Sequence, residues 1–277
     1  METPTPLQRY RTHTWRPSIL GVCLLATSFW AILEIASRRQ TLAWDGSLVV
    51  RVVPLLDPSL SQIEFVDSFL EVTDQSARLA GLGQWLQAEY ARHTSQPLQA
   101  LRWDISDAQP VSAPPPRVSP ESTGLVSRWW STERFLSYFQ HNAPEQRHGP
   151  VASTIYVYFY PTSERHRFSG QSVACDRSKS AFVFVPTDSN TSPFYLALLA
   201  HELCHTLGAT DKYRGDSSVY PEGYVEPTQS PRFPQEHAEI MALSIPFAPG
   251  QEAQVTSLQD CRIGAATARE LGWVESR

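Results

Sequence analysis

The chain has 277 residues, 42% of them hydrophobic, and a formal net charge of −5 at pH 7. That is ample for one medium-sized domain with a real core plus an appendage. The slight acidity argues against a nucleic-acid partner, for which a basic patch or a strongly basic domain is expected.

Residues 1–17 read as a cytoplasmic tail containing Arg9, Arg11 and Arg16, and Ser18 to Leu33 carries no charge. Residues 18–36 form a membrane-targeting segment that reaches the ~20 residues of a bilayer span only by including Glu34 near the interface. Two readings stand: an uncleaved anchor with the remaining chain outside the cytoplasm, or a signal peptide cut near Ala36 or Ala43, which would make the protein secreted. Residues 44–277 are then the folded domain.

Leu48 to Leu56 is rich in β-branched residues and predicts a central strand. Between Gln75 and His93, the residues Leu79, Leu82, Trp85, Leu86 and Tyr90 recur at helical spacing and predict a helix that covers the sheet, with Trp85 and Tyr90 in the core. A second strand follows at Leu98 to Ile105, giving the start of an α/β layer. The prolines between Gln109 and Pro120 predict a stiff loop with no regular element. Thr123 to Phe139 suits another helix, with Trp129, Trp130, Phe135 and Phe139 facing the sheet. Val151 to Tyr160 alternates, Ile155, Val157 and Phe159 on one face and Tyr156, Tyr158 and Tyr160 on the other, and Ala181 to Val185 is one more short strand.

Pro193 to Leu207 reads as a helix, with Ser192 as its cap, Pro193 in the first position and Gly208 as the stop. It places His201 and His205 four residues apart, so both imidazoles leave one face within reach of one metal ion. Glu202 sits one step round, beside the metal, where a carboxylate holds and deprotonates water. Catalytic zinc commonly takes three protein ligands, and the sharp turn that Gly208 permits would swing Asp211 back towards the two histidines.

The pattern His201-Glu202-x-x-His205-x-x-Gly208-x-x-Asp211 resembles the metzincin zinc metalloproteases, in the variant with Asp as third ligand found in snapalysin-like enzymes. The resemblance implies an α+β fold: a mixed sheet, an active-site helix, a Met-turn with Met241 at its centre, and a C-terminal helix. It also implies that residues near Ser172 to Val185 bind the substrate's main chain at a sheet edge, in keeping with the unpaired N–H and C=O groups that an edge offers. Two positions depart from the pattern. Leu243 stands where some members carry a Tyr two residues after the Met, so the oxyanion donor must come from elsewhere, with Tyr213, Tyr220 and Tyr224 as candidates. Cys204 stands where relatives often have Gly. A different ligand set stays open too, since a helical Glu239–Ala242 would make Glu239 the third ligand, as in gluzincins.

Arg214 to Gln235 predicts a long functional loop, and Gly264 to Trp273 a closing helix under the site. Outside the membrane segment the cysteines are Cys175, Cys204 and Cys261. The simplest count is one disulfide, Cys175 with Cys261, and one buried thiol, although spacing alone leaves other pairings open. The sequence reading is thus a monomeric, membrane-tethered zinc endopeptidase acting on peptide or protein substrates, with Glu202 as general base. A tethered binding or scaffold protein with a structural or vestigial zinc site is the alternative.

Overall fold

The structure is a computed structural model. It describes residues 21, 22, 25, 27, 28, 44, 48–60, 72–98, 101–116, 134–139, 141–142, 151–168, 170–175, 179–187 and 193–274. The chain divides into two units, Met1–Thr41 and Leu42–Arg277. In the first, residues 21, 22, 25, 27 and 28 are helical. Most of the expected membrane segment lies outside the described residues, and among those described no helix is long and apolar enough to cross a membrane.

The second unit is built on a mixed sheet of six strands. These are β1 (Val49–Leu56), β2 (Arg102–Ile105), β3 (Gln109–Pro110), β4 (Ser153–Tyr160), β5 (Val173–Cys175) and β6 (Ser180–Pro186). Their order is β2-β1-β4-β6-β5, with β3 also pairing β1. All pairs are parallel except β5, which runs antiparallel to β6 and forms an edge. β1 is central because its β-branched residues are buried along almost its whole length, as a parallel strand covered on both faces requires.

One face of the sheet, with Val50, Val52, Ile155, Val157, Phe159 and Val183, forms the main core. Against it lie Leu79, Leu82 and Leu86 of α1 (Val72–Thr94) and Leu199 and Leu203 of α2 (Phe194–Thr206). Helix α1 ends at Ser95, which takes φ +57. Tyr90 is buried as expected, whereas Trp85 is only half-buried, its indole N–H donating to the Cys261 carbonyl at 3.2 Å.

The tyrosine face of β4 does not meet solvent. Tyr156, Tyr158 and Tyr160 join Phe135, Phe139, Phe168, Phe182 and Phe184 in a second core, so both faces of the sheet are covered. Each hydroxyl that enters such a layer needs a partner, and Tyr158 finds Asp57, donating to Oδ2 at 2.5 Å. The covering helix is seen at residues 134–139, while Leu125, Trp129 and Trp130 fall outside the described residues.

Two expectations are corrected. Gln109 and Pro110 do form a strand, paired with Leu55 and Leu56. The ladder tolerates the proline because the Val111 N–H, next along, donates to the Leu56 carbonyl at 3.0 Å. Cys261 keeps a free, buried thiol, so the Cys175–Cys261 disulfide is not formed. Cys261 lies on β8 (Cys261–Arg262), which pairs β7 (Ala238–Glu239), whereas Cys175 belongs to the edge strand of the large sheet. The Cys261 thiol is set against the Ser257 carbonyl at 3.7 Å.

The second core makes a stability prediction. Phe139 is fully buried, with ring centroids 4.5 Å from Phe182 and 4.9 Å from Phe135. Phe139→Ala is expected to cost ~3–5 kcal/mol in chemical denaturation. A loss below ~1 kcal/mol would show that the tyrosine face is not a packed layer.

Candidate metal centre

Helix α2 is apolar nearly all round, with Ala197, Leu199, Leu203 and Cys204 buried, the pattern of a helix held inside the core. Pro193 occupies its N-cap without a side-chain cap, and Ser192 lies outside the described residues. The far end is tied to β4. There Thr206 Oγ1 donates to the Leu203 carbonyl at 2.7 Å, so Ser153 Oγ, 2.8 Å away, is left to donate to Thr206. The chain turns at Gly208 with φ +108, a conformation that only glycine adopts freely.

That turn brings Asp211 back to the helix. His201, His205 and Asp211 are the one group of potential metal ligands among the described residues, their ligand atoms all within 4.8 Å of one another. The His205 Nε2 lies 3.1 Å from the His201 Nε2 and 3.0 Å from Asp211 Oδ1, and the His201 Nε2 is 3.5 Å from the same oxygen.

The tautomers follow from the other ring atoms. His201 Nδ1 is 2.9 Å from the Ile240 carbonyl, and His205 Nδ1 is 2.9 Å from the Ala209 carbonyl. A carbonyl only accepts, so both Nδ1 atoms carry hydrogen and both neutral rings turn a bare Nε2 lone pair inward. Two such lone pairs and a carboxylate oxygen at these separations repel unless a cation or a proton lies among them. The donor set, two imidazole nitrogens and one carboxylate oxygen each steadied by the fold, fits a divalent metal of zinc's type.

Electrostatics agree. Burial raises the Asp211 carboxyl, but the His201 and His205 imidazoles beside it outweigh this and hold the group well below the usual carboxylate range. Burial lowers His205, yet the Asp211 carboxylate beside it leaves it above the ordinary imidazole value. A metal cation and a proton would therefore compete for the same lone pairs.

Glu202 is buried, and its Oε2 has no hydrogen-bond partner among the described residues. Burial pushes its carboxyl up, against the opposing influence of His201 and His205. It lines, with His201, a cleft of about 540 Å³ whose apolar wall includes Phe168, Phe184, Phe194 and Leu198. Tyr213 lines the same cleft. Tyr220 and Tyr224 instead pack on each other at 5.3 Å, with the Arg232 guanidinium 4.1 Å above the Tyr220 ring. Of the segment expected to bind substrate, Ser172, Phe184 and Val185 reach the cleft.

Glu239 is not brought to the histidines, and Glu239–Ala242 is not helical. Fully buried, it ends β7 and accepts hydrogen bonds from the Gly264 N–H, from Thr267 Oγ1 at 2.7 Å and from the Met241 N–H at 3.3 Å. Its own carbonyl accepts from the Ala242 and Leu243 N–H groups at 2.9 and 3.0 Å, closing a tight turn around the buried Met241. The Ile240 carbonyl that orients His201 belongs to this turn. Beyond it, α3 (Ala265–Glu270) is shorter than the expected helix and follows its N-cap Gly264, where an added Cβ would collide with Glu239 Oε2.

Sequence reasoning missed the two backbone carbonyls, which no residue type announces. It also left Lys212 unused, although this is one of only two lysines in the chain and its ammonium is buried on Glu270 at 2.7 Å.

No family model and no curated protein matches the chain. Among solved structures it is similar to wild-type OgpA from Akkermansia muciniphila, with 14% sequence identity and a TM-score of 0.38 over 64% of this chain and 53% of that one. The chain thus spans about half the length of that protein.

Burial pushes the Glu239 carboxyl up from 4.5 to about 7. A raised carboxyl favours the folded state most below pH 4.5, and that contribution is lost as pH climbs through 7. Metal-free wild type is therefore expected to lose on the order of 3 kcal/mol more than Glu239→Gln between those values, measured by denaturant unfolding. Parallel pH profiles for the two proteins would contradict this.

Proposed function

We propose that the chain is a zinc-dependent endopeptidase of metzincin type, with His201, His205 and Asp211 as metal ligands, the Glu239–Leu243 turn as its Met-turn and Glu202 as general base. The observation that carries the reading is the convergence of two bare imidazole nitrogens and a carboxylate beside a buried, unpartnered Glu202 oxygen. A zinc ion there would polarise a scissile carbonyl and make water acidic enough to attack near neutral pH.

The chain's own groups supply the rest. Glu202 takes the proton of the attacking water and returns it to the leaving amine, and its raised affinity for protons suits a group that must do both. Tyr213, on the cleft wall, supplies a hydroxyl for the developing oxyanion. The free edge of β5, where Val173 is exposed, offers backbone groups to an extended peptide. The charge-free Ser18–Leu33 stretch supports a tether that keeps this domain outside the cytoplasm.

Zinc analysis and peptide cleavage test the reading together. Wild type is expected to hold about one zinc per chain, Asp211→Ala to bind it much more weakly through the two histidines alone, and Glu202→Ala to keep it while cleavage of a peptide library falls ~10²–10⁴-fold. Undiminished cleavage by Glu202→Ala would remove it as the base. A zinc-loaded wild type that cuts no peptide would favour a binding or scaffold role.

A further inference from the structure

The three ligands are not held alike. His201 and His205 stand on a buried helix with their Nδ1 atoms pinned to backbone carbonyls. Asp211 stands in the loop beyond Gly208 with its side chain 46% exposed. Its place depends on the residues flanking it, and both are bonded to one carboxylate. The Thr210 N–H donates to Glu270 Oε2 at 2.9 Å, Thr210 Oγ1 donates to Glu270 Oε1 at 2.9 Å, and Lys212 Nζ donates to Glu270 Oε1 at 2.7 Å. Lys212 Nζ also donates to Thr210 Oγ1 at 2.7 Å, and the Lys212 N–H donates to the Met241 carbonyl at 2.9 Å.

We infer that Glu270, the last residue of α3, is the positioning residue that sets the Asp211 carboxylate against the two imidazoles, so that metal affinity is governed from the C-terminal helix. The inference rests on the reading of the triad as a metal site. The geometry makes the clamp strong. Lys212 is 5% exposed, and a buried ammonium is costly without a partner. Its charge on Glu270, together with two hydrogen bonds from Thr210, leaves the loop little freedom on either side of Asp211. The other end of α3 is held by Glu239, which accepts from the Gly264 N–H and from Thr267. The helix that receives the loop is therefore itself fixed to the Met241 turn.

The test is zinc affinity of the full chain, measured by competition with a chromophoric chelator, for wild type, Glu270→Gln, Thr210→Ala, Asp211→Ala and the doubles of the first two variants with Asp211→Ala. Partners that orient a metal ligand typically change affinity ~10–100-fold, so Glu270→Gln is expected to weaken zinc by about that factor. Thr210→Ala, at an exposed position that spares the fold, is expected to weaken it about threefold. In the Asp211→Ala background both effects should vanish, because the residue through which they act is gone.

Effects that persist undiminished in that background would assign Glu270 a general structural role and overturn the proposal. So would a wild-type affinity in both Glu270→Gln and Thr210→Ala. A wild type that takes up no zinc overturns the metal site and this proposal with it, whereas a zinc-binding wild type matched by both variants overturns this proposal alone.

Discussion

Two imidazole lone pairs and a carboxylate oxygen face one another across little more than a hydrogen-bond length, and the protons that would relieve them are committed to backbone carbonyls. Such a cluster is unfavourable in isolation, and the fold holds it by making each component part of something larger. The histidines are fixed by a helix that cannot rotate without exposing its apolar faces. The carboxylate is fixed by a loop that glycine bends and a distant helix grips. The Met241 turn completes the arrangement, since its Ile240 and Met241 carbonyls take hydrogens from His201 and from the loop that carries Asp211.

The sheet makes this possible by being covered on both sides. Its main-core face supports α1 and α2, while its aromatic face is closed by the second cluster. Phe168 and Phe184 belong to that second cluster and also line the cleft beside Glu202. The cleft wall is thus an extension of packed core, and the burial of Glu202 beside it accounts for its reluctance to ionise.

Much of this was legible in the sequence because it is written in spacing. The four-residue separation of His201 and His205, the glycine at 208 and Asp211 three residues on describe a local geometry that needs no distant partner. The strand alternation at 153–160 and the apolar face of α1 are equally local. What escaped was non-local. Nothing in the alternation of β4 says that its tyrosine face meets phenylalanines instead of solvent. Glu239 carries the chemistry of a ligand, but two donors from the C-terminal region and one from its own turn claim it first. Cys261 was assigned a partner by counting, and topology put it on a strand of another sheet. Glu270 reads as a solvated end of a helix until the loop from Thr210 to Lys212 is folded against it.

The most direct measurement of the central claim is the X-ray absorption spectrum of the zinc-loaded protein, which reports the atoms around the metal without reference to activity. The account predicts a shell of nitrogen and oxygen at about 2.0–2.1 Å with the outer scattering of two imidazoles. A sulfur shell near about 2.3 Å, or scattering from fewer than two imidazoles, would place the metal elsewhere in the chain and contradict the account.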